Sequence, residues 1–132
     1  MSESNIQIVK SAFERFLGGD IPGFLDLLAD DVHWDHRGPE GVPFNRLYEG
    51  RAAVGEFFQA LSQTEEALAF EPREYFGAGD RVVCLGFFRW KVHATGKEWE
   101  SDFAMAFTVQ ADTITHWRIL FDMGREAAAC QP

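Results

Sequence analysis

Only two cysteines occur in this chain, Cys84 and Cys130, and they form no C-x-x-C pair, so no disulfide framework is expected. Basic residues are scarce too: 12 Lys and Arg against 21 Asp and Glu leave a formal charge of −9. Such a field repels phosphate backbones and anionic lipid surfaces, which argues against nucleic-acid and membrane partners. No apolar run approaches the roughly 20 residues needed to cross a bilayer. The opening Met1-Ser2-Glu3-Ser4-Asn5 lacks the basic start and apolar stretch of a signal peptide, which makes a cytoplasmic address the expectation. Repeats, linkers and low-complexity segments are also missing, and 132 residues is the length of one domain, so residues 1–132 are expected to fold as a unit.

Aromatic surface is what the chain has in quantity. Thirteen Phe and four Trp within a 46% apolar composition can bury a core without staples, and such rings commonly line small-molecule cavities. The acids Asp20, Asp26, Asp30, Asp31, Asp35 and Glu40, with Arg37 the single base among them, read as a solvated surface.

Ile6, Val9, Phe13, Phe16 and Leu17 recur at helical spacing between a Ser4–Gln7 capping box and the stop Gly18-Gly19. Asp20 then caps a second, shorter helix with Pro22 in its first turn and Ile21, Phe24, Leu25, Leu27 and Leu28 on its apolar side. Val32-His33-Trp34-Asp35-His36 predicts a short strand, and Gly38, Pro39, Gly41 and Pro43 an irregular loop. After Gly50, the positions Val54, Phe57, Phe58 and Leu61 predict a third helix. Strands at 66–76, 81–93, 98–109 and 114–122, separated by turn residues, predict an antiparallel meander in which Pro72 marks an edge or a bulge.

Helices first and hairpins second give an α+β fold with the helices on one face of the sheet. Both alternating residue sets of Val82-Val83-Cys84-Leu85-Gly86-Phe87-Phe88 are apolar, which suits a strand covered on both sides. Helices and pocket cover one face; a second copy is expected on the other, as a homodimer through the sheet.

The order of Ala29-Asp30-Asp31-Val32-His33-Trp34, then Tyr48-x-Gly50-Arg51, the long hairpins and Trp117-Arg118-x-x-Phe121-Asp122 resembles the ketosteroid isomerase-like and SnoaL-like branch of the nuclear transport factor 2-like superfamily. The resemblance covers essentially the whole chain. It implies a cone-shaped, curved antiparallel sheet roofed by three N-terminal helices and open to a small, usually apolar molecule. It implies no single reaction, because this fold hosts isomerases, cyclases, hydratases, epoxide hydrolases and non-catalytic binders.

Ketosteroid isomerases combine a carboxylate base with a Tyr and a protonated Asp that hold the enolate oxygen. Aligned on Ala29-Asp30-Asp31, the resemblance places the base at His36, while Met105 and Ala12-Phe13 stand where the two oxyanion donors would be. Ordinary ketosteroid isomerisation is therefore disfavoured, since oxyanion stabilisation is usually the largest catalytic contribution. The end of the chain is similar to limonene epoxide hydrolase, but that enzyme's Asp-Arg-Asp set falls on Gly86, Phe88 and Ile119, which cannot activate water.

Residues two apart share a strand face, so Trp34 accompanies His36 inward while His33 and Asp35 point away. The same parity turns Phe88 and Trp90, then Phe103, Met105 and Phe107, then Trp117 and Ile119 towards the inferred cavity. Tyr48 is a candidate hydroxyl donor, whereas Asp102 faces outward. The odd spacing of His33 and His36, with no companion ligand beside His93 or His116, argues against a metal site, and no motif implies an organic cofactor. Three readings remain. One is a cofactor-independent enzyme of isomerase, cyclase or hydratase type with His36 as acid–base; another is a non-catalytic small-molecule-binding dimer module; the third is a structural dimer whose cone is filled.

Overall fold

A computed structural model describes residues 2–132. Helices α1 (Ser2–Leu17) and α2 (Ile21–Leu25) precede strands β1 (Leu28–Asp35) and β2 (Leu47–Glu49). Helix α3 (Arg51–Thr64) leads into β3 (Glu65–Ala78), β4 (Arg81–Val92), β5 (Glu98–Gln110) and β6 (Thr113–Phe121), and a fourth helix, α4 (Met123–Cys130), closes the chain. The strands form one sheet in the order β2-β1-β6-β5-β4-β3. It is antiparallel except between β1 and β6, which run parallel because β1 arrives from the helical hairpin and docks beside the last strand.

Three local readings of the sequence need correction. Helix α1 starts at Ser2, so Ser4 lies within its first turn and does not cap it. Helix α2 stops at Leu25: the carbonyl of Leu27 already accepts from the Ile114 amide at 2.8 Å, which draws Leu27 and Leu28 into sheet pairing. The segment before α3 is not all loop, since β2 pairs Tyr48 with Trp34 along the free edge of β1.

Helix α2 has the expected cap, the Asp20 carboxylate accepting from the Gly23 amide at 2.9 Å with Pro22 in the first turn. Gly50 has φ of +89° before α3, a conformation that costs glycine little, and its amide donates to Val32 at 2.8 Å. The Arg51 guanidinium then reaches the Leu28 carbonyl at 2.7 Å, tying α3 to β1. Edge strand β3 shifts register between Pro72 and Glu74, the bulge its proline foretells, and again between Ala67 and Ala69. Along β4 and β5, alternate residues are buried, and in β4 these include Val82, Cys84, Phe88 and Trp90 on the side that α1 packs against.

Candidate functional site

The inner face of the sheet collects rings because neighbouring strands put their aromatic positions in register. Trp34 of β1 lies directly beside Trp117 of β6, and the two indoles stack at 3.9 Å between centroids. His36, one residue beyond β1, continues the stack 6.0 Å from Trp117, with ring planes 13° apart. These rings, with Phe13, Phe57, Phe88 and Phe107 among others, enclose a cavity of about 60 Å³. A site for one water needs roughly 10–15 Å³, so the space holds several waters or a very small molecule. A second, larger groove of about 520 Å³ lies against it, between α1, α2, α3 and β3. Phe16, Phe58, Leu61 and Trp90 border both spaces.

His36 is buried at 6% exposure. Its backbone amide donates to Arg46 at 3.1 Å, and its Nδ1 lies 2.9 Å from Asn45 Oδ1. Asn45 is oriented by its own amide, which donates to the Pro39 carbonyl at 3.1 Å. The side-chain oxygen of Asn45 therefore faces the imidazole, so Nδ1 carries the hydrogen and Nε2 the lone pair. No described residue hydrogen-bonds Nε2. Burial lowers the pKa of His36, against an opposing pull from the Asn45 bond, so the ring is neutral at pH 7. Asp35 takes no part: it turns outward to Arg37, whose hydrogen bonds hold its carboxyl below the ordinary value.

The wall carries a second polar group that the sequence did not reveal. Glu65, at the junction of α3 and β3, and Glu126, on α4, are each 2% exposed. Trp99 donates its indole N–H to Glu65 Oε1 at 2.6 Å. Burial, reinforced by the hydrogen bond and charge of Glu65, pushes the Glu126 carboxyl up to about 10, so it keeps its proton at neutral pH. Glu126 lines the cavity.

Of the nine residues read as ligand-facing, Trp34, Phe88, Trp90, Met105, Phe107, Trp117 and Ile119 line the cavity together with His36. Phe103 and Tyr48 do not. Phe103 brings the tip of its ring against Gly86, where an added Cβ would come within 2.5 Å of it, and packs beside Phe88 with 4.9 Å between ring centroids. Tyr48 is 3% exposed and spends its hydroxyl on the Phe44 carbonyl at 2.7 Å. Met105, Ala12 and Phe13, where the resemblance would put oxyanion donors, are all apolar wall. His33 and His116 stack on each other in exposed positions, and the described residues contain no cluster of three or more metal-ligating side chains.

Glu65 and Glu126 escaped notice because one sits in an acidic pair at an element boundary and the other in a charged C-terminal turn. A signal did exist. Glu126 is three residues after Met123 and four before Cys130, which places it on the inward side of α4.

With this geometry in hand, residues 9–117 match the family model for the SnoaL-like domain. The chain belongs to the SnoaL-like family. No curated protein matches it. Among solved structures, it is similar over 99% of its length, and 98% of the other chain, to a nuclear transport factor 2-like protein from Burkholderia xenovorans LB400, at 31% identity and a TM-score of 0.90. TerC, crystallised with polyporic acid, is 26% identical with a TM-score of 0.77, covering 97% of this chain and 98% of its own. A protein from Xanthomonas campestris pv. campestris, provisionally described as a polyketide cyclase, is 22% identical with a TM-score of 0.79 over 98% of both chains, a likeness of fold alone. SnoaL-like membership accounts for the curved six-stranded sheet and its helices. None of the helices is long and apolar enough to cross a membrane.

Proposed function

We propose that this SnoaL-like protein takes a small, largely apolar molecule into its cone and transfers a proton on it without a cofactor, in an isomerase, cyclase or hydratase type of reaction, with His36 as the acid–base residue. The observation that carries this is the state of His36: a buried, neutral imidazole on the cavity wall, with Nδ1 anchored by Asn45 and Nε2 without a partner among the described residues. A base so placed meets its substrate unprotonated, because burial holds its pKa below the ordinary 6.5. The space fits a ligand if Phe16, Phe58, Leu61 or Trp90 turn aside, because these side chains stand between the small cavity and the larger groove. Relatives provisionally described as polyketide cyclases, and TerC with its bound polyporic acid, support a small-molecule role.

The competing reading is a binder without turnover, which the apolar Met105, Ala12 and Phe13 favour. Mass spectrometry of the purified protein would identify a retained ligand, and incubating it with wild type and His36→Ala would separate the two. Conversion by the wild type, reduced about 10²–10⁴-fold in the variant, supports the enzyme. Binding with no conversion by either protein rejects it.

The outer sheet face supports a homodimer. Leu120 is 57% exposed there, and its register neighbours Ala104 and Leu85 are only half-buried. Light scattering should find two copies in the wild type and one after Leu120→Glu; a wild-type monomer would reject the interface.

A further inference from the structure

The register of the sheet, with helix α4, brings four polar side chains together, of which Trp90, Trp99 and Glu126 line the cavity and Glu65 lies behind them. Trp90 lies opposite Trp99 across β4 and β5, and Glu65 opposite Val92, two residues along β4 on the same face as Trp90. Helix α4 adds Glu126. Trp99 is satisfied by Glu65 Oε1, but Glu65 Oε2 and Glu126 Oε1 are buried with no hydrogen-bond donor among the described residues. Two facing carboxylates satisfy both oxygens only if one hydrogen lies between them. Glu126 then has its other oxygen left as an acceptor at the cavity.

Trp90 provides an independent sign. Its ring lines the cavity at 6% exposure, and its Nε1–H is buried with no acceptor among the described residues. Buried donors are seldom left unpaired in native proteins, and the two unpaired indoles, Trp34 and Trp90, both line this cavity, which points to something that enters. An N–H donor and a carboxyl acceptor on one patch of wall are both satisfied by a group that accepts and donates through one atom. A carbonyl could serve Trp90 and not Glu126; an ammonium could serve Glu126 and not Trp90. A hydroxyl serves both.

We propose that Trp90 and Glu126 form a hydroxyl-binding subsite, in which an alcohol, phenol or enol on the ligand accepts from the indole N–H and donates to the Glu126 carboxyl, with Glu65 and Trp99 holding that carboxyl in place. This rests on the cone being a ligand pocket and adds the polar group its ligand carries. Phenol and toluene are suitable probes, because they share a shape and differ in the hydroxyl. Simple burial favours toluene, since phenol must give up its hydrogen bonds to water.

The test is calorimetric or NMR titration of the full chain with each probe. The wild type is expected to prefer phenol by about tenfold or more, the worth of a hydrogen-bonded pair in a dry site. Trp90→Phe and Glu126→Leu should each reverse the preference while still binding toluene, and Glu126→Gln, which keeps an acceptor oxygen, should retain it. Should Glu126→Leu fail to fold, Trp90→Phe decides the matter alone. A wild type that binds both probes but prefers toluene, or a phenol preference untouched by Trp90→Phe, overturns the subsite and leaves the pocket standing. If neither probe binds, pocket and subsite fall together.

Discussion

His36 and Glu126 occupy the same cavity wall on either side of Phe121, whose ring lies 5.8 Å from His36 and 5.4 Å from Trp99, the partner of Glu65. Burial acts on both and leaves opposite chemistry. The imidazole loses its proton, and the carboxyl keeps one that it shares with Glu65. The common cause is that removal from water disfavours whichever form is charged.

The largest effect that would break this comparison lies on the Glu126 side. The carboxyl rises from an ordinary 4.5 to about 10 on folding, so between those values the native chain holds a proton that the unfolded chain has lost. Stability from this group is fully present below pH 4.5 and is lost as the pH climbs towards 10. One proton corresponds to about 1.4 kcal/mol per pH unit, so the wild type should lose roughly 4 kcal/mol between pH 6 and pH 9. Urea unfolding at both values measures this. Glu126→Gln, an uncharged isostere, should flatten the slope; a wild type equally stable at pH 6 and pH 9 would show that the pair does not hold its proton.

On the His36 side the sign reverses and the effect shrinks. A folded pKa below the ordinary 6.5 means that the unfolded chain protonates first, so stability is present above 6.5 and drains away as the pH falls towards the lowered value. Stability should therefore fall between pH 7 and pH 5, and fall less in His36→Gln, whose amide can still donate to Asn45. Carboxylates such as Asp35, held low by Arg37, begin to titrate only below this window. The same loss in wild type and variant would place the acid sensitivity elsewhere.

The two sides were not equally legible in the sequence. His36 could be found because β1 alternates cleanly and its parity with Trp34 is a local property. Most of the cone's wall was legible for the same reason, since β4, β5 and β6 alternate without interruption through their aromatic stretches. Glu65 and Glu126 meet only through tertiary packing across 61 positions of the chain, and the helical spacing that turns Glu126 inward says nothing of its partner. Strand β2 was hidden likewise, because a three-residue strand owes its existence to the edge it pairs with. Phe103 was misplaced by parity that was itself correct: it points inward, but Gly86 lets it drop against the sheet and out of the cavity.

Tyr48 supplies the smallest effect and separates the polar groups of the cavity from those of the core. Its hydroxyl is buried and engaged by Phe44, and its ring packs against Phe57 and under the Arg46 guanidinium, 4.1 Å from the ring centre. Tyr48→Phe removes one internal hydrogen bond and strands one carbonyl, at a cost of about 1 kcal/mol by urea unfolding. Because the lost hydroxyl never faces the cavity, phenol should bind the variant as it binds the wild type. A fall in phenol affinity comparable to that of Trp90→Phe would mean that β2 turns Tyr48 towards the ligand, and the division between polar groups of the cavity and those of the core would have to be redrawn.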